Sequence, residues 1–363
     1  MTAAKSRGGR PRLQKRRDNT PTVSYLQAIV IALVQGATEL FPVSSLGHSV
    51  LVPAWIGGSW NTLVTQSAQA NSESSFYLAF IVALHVGTAL ALLWFFRADW
   101  IRIVTGFVRS VRRSVSERQF TVRGSDERLA WLIVLATIPV GLTGLLFEHS
   151  FRTVFAKPVA ASVFLFINGL ILLAGERARR RMAPADGGRG TRPVQVPIAG
   201  GSPEADGELD PRALHAARRG ARSVDELAAA YQSDARIARI SYRDGLFVGA
   251  TQILALFAGI SRSGVTMVGG LWRGLDHEDA ARFAFLLATP VILAAGVLKL
   301  PSLAGHAGAH IHGQVAVGFV VTGVTAYISI RYLVRYFQTR TLRPFAIYCL
   351  VVGFASAVRF AAF

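Results

Sequence analysis

The chain has 363 residues, of which 52% are hydrophobic and 17% charged, with a single cysteine and a formal net charge of +18. A soluble domain usually carries about 25% charged residues. This composition, with a mean hydropathy of +0.39, therefore argues against soluble classes and favours an integral membrane protein. One cysteine, Cys349, excludes a disulfide framework and a cysteine-ligated zinc site.

The basic residues stand in four stretches that together carry the whole net charge. These stretches are 1–20, 97–128, 176–243 and 331–343, with net charges of +6, +4, +4 and +4. They flank apolar segments, as cytoplasmic loops do under the positive-inside rule. Because the charge is not gathered on one face, no nucleic acid is expected as a partner.

Two apolar stretches are too short and too broken to cross a bilayer, which takes about 20 residues. The first is 24–34, interrupted by the polar sequence 35–48, and the second is 245–260, interrupted by 261–270. Non-helical backbone at membrane depth is tolerated only where it is buried in protein or lines a wet cavity. We therefore predict a re-entrant helical hairpin at each place.

Longer apolar runs predict six membrane spans, three after each hairpin. The runs lie near 76–96, 129–148, 154–175, 280–299, 314–334 and 343–362. An odd number of spans in each half places the halves in opposite orientations. The predicted fold is an all-α polytopic membrane protein of about six transmembrane helices plus two re-entrant hairpins, arranged as an inverted repeat.

We divide the chain into four parts on this basis. Residues 1–20 form a basic disordered arm, and 21–176 form the first repeat. Residues 177–242 form a cytoplasmic linker, with an amphipathic helix expected over 213–240. Residues 243–363 form the second repeat.

The first hairpin holds a carboxylate, two hydroxyls and an imidazole within ten residues: Glu39, Ser44, Ser45 and His48. Ionisable groups at membrane depth are costly, so they are functional by default. Ser45 and His48 are three residues apart and can share a site if the backbone is helical. Glu39 is expected to orient His48 or to hold a divalent cation, Mg or Ca. The sequence does not decide whether the nucleophile is Ser45, His48 or water.

The second hairpin places Arg262 among small hydroxyl residues and glycine. A guanidinium is a permanent cation with a planar fork that suits phosphate, and the flanking residues let backbone amides face the same anion. A purely structural ion pair between Arg262 and Glu39 is the alternative, and it is compatible with an empty site. His85 is interpreted as a packed histidine of a span. The candidate substrate-binding residues are Gln35, Ser44, Gln252, Ser261, Ser263, Gly264 and Thr266.

The two motifs, 35–48 and 259–264, resemble those of the bacterial undecaprenyl-diphosphate phosphatases of the bacitracin-resistance type. The tail 343–348 is also similar, and the resemblance covers roughly 24–176 and 241–361. Ala258 departs from the pattern, because the family commonly has proline there. Gln35 occupies a position that the family fills with Glu or Gln, which weakens a metal site built on two carboxylates.

The resemblance implies that the protein hydrolyses undecaprenyl diphosphate to the monophosphate carrier used in peptidoglycan synthesis, and so confers bacitracin resistance. It implies Glu39, Ser45, His48 and Arg262 as the functional residues. The expected location is the bacterial inner membrane, with the site open to the extracytoplasmic side. The protein could also form a homo-oligomer, which the sequence does not decide. The alternative is a flippase for the lipid phosphate, which would use Arg262 without needing Ser45 and His48.

Overall fold

The computed structural model describes residues 23–63, 76–155, 157–182, 224–304 and 312–362. Within these ranges the regular structure is helical and includes no strand, as the hydropathy predicts. The predicted disordered arm and most of the predicted linker lie outside the described residues. The four-part division of the chain stays a prediction.

The helices are numbered here in chain order. The first half contains α1 (Tyr25–Thr38), α2 (Ser45–Ile56), α3 (Phe76–Phe95), α4 (Arg97–Glu117), α5 (Ser125–Phe155) and α6 (Pro158–Met182). The second contains α7 (Val224–Ile237), α8 (Tyr242–Thr251) with a 3-10 turn (Gln252–Leu256), α9 (Arg262–Trp272), α10 (His277–Ala304), α11 (His312–Thr339) and α12 (Arg343–Ala362).

Five of these helices are long and apolar enough to cross a membrane by length and composition: α5, α6, α10, α11 and α12. A sixth span results if α3 and α4, which meet at an angle of 84°, count as one bent pair. The prediction of about six spans is confirmed in these terms. The predicted spans 129–148 and 154–175 leave 149–153 as a connection, but these residues are helical, because α5 continues to Phe155.

Residues 97–117 form helix α4, although the sequence analysis assigned 97–128 to a loop. Asp99, Ile103, Gly106 and Ser110 are buried on one face of α4, at helical spacing. The apolar residues of this amphipathic helix are diluted by arginines, so a search for long apolar runs overlooks it.

Each hairpin is present as two short helices joined at a break. In the first, α1 packs against α11, and in the second, α8 packs against α5. Each hairpin therefore packs against the middle span of the opposite half, and this reciprocal packing is what an inverted repeat predicts. The two-fold relation itself stays a prediction.

The second helix of each hairpin begins at a serine N-cap. Ser44 Oγ accepts a hydrogen bond from Gly47 N at 3.2 Å, and Ser261 Oγ accepts one from Gly264 N at 3.2 Å. Serine is favoured at this position because its oxygen satisfies an amide that the helix leaves unpaired. The residues singled out in the sequence therefore lie at the starts of two half-helices.

Helix α7 lies within the predicted amphipathic stretch and is tied to the core by buried ion pairs. Asp234 pairs with Arg282 of α10 at 2.6 Å and with Arg102 of α4 at 2.5 Å. Arg282 also pairs with Asp99 at 2.9 Å. These groups are buried or nearly so, and each charge faces an opposite one, as buried charges require.

Candidate active site

The tips of the two hairpins touch through glycine. A Cβ atom on Gly47 would lie 2.9 Å from Gly259 Cα, and one on Gly259 would meet the Ala161 carbonyl. Gly259 also has φ +116°, a conformation that favours glycine. Its amide donates to Ser44 Oγ at 3.2 Å. Only glycine at both places lets the two polar breaks approach this closely.

Asn168 of α6 braces both tips from the side. Its Oδ1 accepts from Ser261 N at 3.0 Å, and its Nδ2 donates to the Pro42 carbonyl at 3.0 Å. The side chain is fully buried, so both of its polar ends are used to satisfy backbone groups of the breaks. The brace fixes the distance between the first and second hairpin.

Glu39 stands at the centre of the polar groups that the tips bring together. Its Oε1 accepts from the Arg262 guanidinium at 2.5 Å. Its Oε2 accepts from the Ser45 hydroxyl and from Gln35 Nε2 at 2.9 Å, and lies 3.2 Å from His85 Nε2. One carboxylate thus joins Ser45 of the first hairpin to Arg262 of the second, and the Arg262–Glu39 ion pair that the sequence analysis gave as an alternative is present.

The cluster is open on one side. The Glu39 side chain is 4% exposed, whereas Arg262 and His85 are 20% and 22% exposed. An incoming anion therefore meets the guanidinium and the imidazole before the carboxylate. That order suits a negatively charged substrate, because opposite charges at the mouth of a site favour its approach.

His48 lies in a separate contact. Its Nδ1 is 2.7 Å from the Ser44 carbonyl and its Nε2 is 2.8 Å from the Tyr348 hydroxyl, with the two rings stacked at 5.7 Å. Among the described residues no hydrogen bond joins it to Glu39. The expectation that Glu39 orients His48 is therefore not met here, and the imidazole beside Glu39 is His85.

The remaining candidates of the second hairpin differ in how close they lie to the first hairpin. The hydroxyls of Ser261 and Ser263 lie 3.0 Å apart, each 3.4 Å from the Phe41 carbonyl of the first tip. Thr266 donates its hydroxyl to the Arg262 carbonyl at 2.7 Å, one turn back along α9. Gln252 is buried, and neither polar atom of its side chain has a hydrogen-bond partner within the described part of the chain.

Glu39 is the predicted metal ligand, but its surroundings do not fit a cation. Both of its oxygens face hydrogen-bond donors, including a guanidinium. Within the described ranges no group of three or more His, Cys, Asp or Glu side chains is placed to hold a metal ion. We derive no step through a metal, and a divalent cation that arrives with a substrate stays a prediction.

The sequence was compared with known families and proteins. The family model described as bacitracin resistance protein BacA matches residues 28–200 and 213–355. The chain belongs to the BacA family. The resemblance predicted from the two hairpin motifs is thereby confirmed.

Relatives within the BacA family match nearly the whole chain. A protein of Frankia alni named undecaprenyl-diphosphatase 2 is 56% identical over 357 residues, covering 93% of this chain and 98% of the relative. One of Mycolicibacterium paratuberculosis, named undecaprenyl-diphosphatase, is 52% identical over 339 residues, with coverage of 93% and 98%. One of Chromobacterium violaceum, named undecaprenyl-diphosphatase 2, is 36% identical over 336 residues, with coverage of 91% and 97%.

Two residues of the site, His85 and Tyr348, were not predicted from the sequence as functional candidates. His85 was assigned to packing, although an ionisable side chain inside an apolar span is a functional signal in its own right. Tyr348 stands in the tail that resembles the family, but nothing in its own segment pointed to His48. The pairing joins residues 300 positions apart.

Proposed function

We propose that this protein hydrolyses undecaprenyl diphosphate to undecaprenyl phosphate and phosphate, recycling the lipid carrier for peptidoglycan synthesis. The observation that carries the proposal is the position of Glu39 between the Ser45 hydroxyl and the Arg262 guanidinium. These are a base, a nucleophile and a cation, the set that phosphoryl transfer needs. The names of the relatives support the same activity.

Binding begins at Arg262. Its guanidinium is more exposed than its partner Glu39, at 20% against 4%, and its planar fork suits two phosphate oxygens. The Ser261 and Ser263 hydroxyls and the start of α9 lie next to it along the chain, where a helix N-terminus favours an anion. The terminal phosphate of the diphosphate therefore binds against the second hairpin tip.

The reaction then uses Ser45 as the nucleophile. Ser45 Oγ forms a bond to the terminal phosphorus, its proton passes to Glu39 Oε2, and the bond from that phosphorus to the bridging oxygen breaks. Its electron pair leaves with undecaprenyl phosphate. A water molecule then attacks the phosphorus of the phosphoserine, and the bond from that phosphorus to Ser45 Oγ breaks as Oγ takes the proton back from Glu39. Phosphate leaves with the two hydrogens of the water. Arg262 offsets the charge on the transferring oxygens throughout.

His48 has a supporting role in this scheme. Its ring is held by the Ser44 carbonyl and the Tyr348 hydroxyl, next to the residue that carries the nucleophile. It fixes the first turn of α2, on which Ser45 stands, through its contact with the Ser44 carbonyl. We assign it to the substrate side of the first tip.

The site acts within the bacterial inner membrane and opens to the extracytoplasmic side. The resemblance to the family implies this opening, and the charge pattern orients the spans, because the stretches 97–128, 176–243 and 331–343 are expected on the cytoplasmic side. Bacitracin resistance follows from the same activity. The flippase alternative gains no support from the relatives, whose names are those of a diphosphatase.

The deciding experiment is phosphate release from undecaprenyl diphosphate by the purified full-length protein in detergent micelles. Wild type should release phosphate, while Ser45→Ala and Arg262→Gln should not. Thr88→Val is the control, because Thr88 is buried on α3 and, among the described residues, its hydroxyl bonds to the Leu84 carbonyl of its own helix. A folded wild type that releases no phosphate but moves the labelled lipid across vesicles would establish the flippase instead.

A further inference from the structure

His85 is fixed by its own helix so that one edge of its ring faces the cluster. Its Nδ1 lies 2.8 Å from the Ile81 carbonyl, one turn back on α3. A carbonyl only accepts, so Nδ1 carries the hydrogen of this bond. The opposite nitrogen, Nε2, is thereby directed at Glu39 Oε2, at 3.2 Å, and at Gln35 Nε2, at 3.1 Å. In the neutral ring Nε2 accepts from the Gln35 amide, and in the protonated ring it donates to Glu39 Oε2.

The two oxygens of Glu39 have separate partners. Arg262 contacts Oε1, whereas Ser45, Gln35 and His85 gather at Oε2. A phosphate that draws Arg262 toward itself takes away the cation from Oε1. The carboxylate, 4% exposed, would then be left as a buried charge with its strongest partner gone, which is costly.

The groups at Oε2 offset that cost. They lie on α1, α2 and α3 and not on the hairpin that carries Arg262, so they stay in place when Arg262 moves. The imidazole is the member of this set that can itself carry a positive charge. Glu39 and Arg262 are the charged groups that face it among the described residues.

We infer that His85 is a positioning residue, which holds Glu39 Oε2 against the Ser45 hydroxyl while Arg262 turns from Glu39 to the substrate phosphate. The inference rests on the proposed function. It gives the two histidines of the site different roles. His85 positions the base, Glu39, and His48 holds helix α2, which carries Ser45. What the position requires is a hydrogen-bond donor directed at Oε2, and a glutamine amide can supply one.

The test compares three forms of the full-length protein in detergent micelles: wild type, His85→Gln and His85→Leu. Phosphate release from undecaprenyl diphosphate gives kcat and KM from pH 5 to pH 9. Thr88→Val, on the same helix, is the matched control. Elution as a single peak and the melting temperature show that each variant is folded.

His85→Leu should lower kcat roughly 10- to 100-fold, the factor that corresponds to losing one hydrogen bond to a charged group, with KM changed much less. His85→Gln should restore kcat to within about threefold of wild type, a difference of less than one weak hydrogen bond. It should also flatten the alkaline limb of the pH profile, because the ring donates from Nε2 only while it is protonated, whereas the amide does not titrate.

Three results would overturn the inference. A folded His85→Leu with wild-type kcat would show that Glu39 needs no such support, while leaving the proposed function intact. Equal inactivity of folded His85→Gln and His85→Leu would show that the ring itself reacts. Absence of phosphate release by wild type would remove the proposed function and this inference together.

Discussion

The guanidinium of Arg262 lies 2.5 Å from Oε1 of Glu39, across 223 residues of chain. Each residue stands at the break of a different hairpin, so the pair forms only when both hairpins are in place. The ion pair therefore joins the halves of the fold at the point where a phosphate would bind. A substrate must compete with Glu39 for the same cation.

Replacing the guanidinium tests this competition. Arg262→Lys keeps the charge but loses the planar fork, so kcat should fall roughly 100-fold, as when one donor to a developing oxyanion is removed. Phosphate release measures it. Arg273→Lys is the matched control, since Arg273 ends the same helix and pairs with Asp244 at 3.1 Å on its exposed side. Wild-type kcat in Arg262→Lys would mean that charge alone suffices.

The nucleophile can be identified by trapping the phosphorylated protein. With substrate labelled in the terminal phosphate, rapid quenching should leave label on wild type and none on Ser45→Ala. The bond should survive acid and be lost in alkali, as expected of a phosphoserine. An acid-labile, alkali-stable label that survives in Ser45→Ala would assign the attack to His48, and no label at any time would favour direct attack by water.

Tyr348 should matter through its hydroxyl. Tyr348→Phe keeps the stacked ring but removes the group 2.8 Å from His48 Nε2. One neutral hydrogen bond is worth about 1 kcal/mol, so kcat should fall by about fivefold. Tyr332→Phe is the control, because its ring stacks on Phe41 away from His48. A Tyr348→Phe protein with unchanged kcat would make the contact one of packing.

The ion pairs that anchor α7 should stabilise the fold without taking part in the reaction. Asp234→Asn leaves Arg282 and Arg102 facing a neutral group, and breaking a buried pair costs about 3–5 kcal/mol. Thermal unfolding in detergent should show a lower melting temperature, with kcat per folded molecule unchanged. Glu226→Gln, from an exposed pair with Arg335, should change the melting temperature little. Equal effects of the two variants would contradict this assignment.

The sequence predicts the parts of the site that are local. Ser44 and Ser261 are recognisable as site candidates from the polar sequence that interrupts an apolar run, although their place at the start of the half-helices was not predicted. The pairing of Arg262 with Glu39 follows from charge, since each is the main opposite charge available to the other at membrane depth. These features depend on short stretches of chain and on electrostatic necessity.

The position of His85 could not be predicted in the same way. A span that is apolar on every side carries no signal of which face meets the protein, so the rotation of α3 about its axis is set by packing alone. Tyr348 presents the same difficulty on α12. Helix α4 was missed for another reason, because its arginines lower the mean hydropathy below that of an apolar run.

The anchoring of α7 has a consequence for how the protein can be divided. Asp234 binds partners that come from both halves of the chain, Arg102 before the linker and Arg282 after it. A cut between Val224 and Arg282 would divide α7 or leave it on the first fragment, apart from Arg282. A protein split N-terminal to Val224 would leave α7 with the second fragment and keep the pair with Arg282, and Asp234 could then bind Arg102 when the two fragments are expressed together.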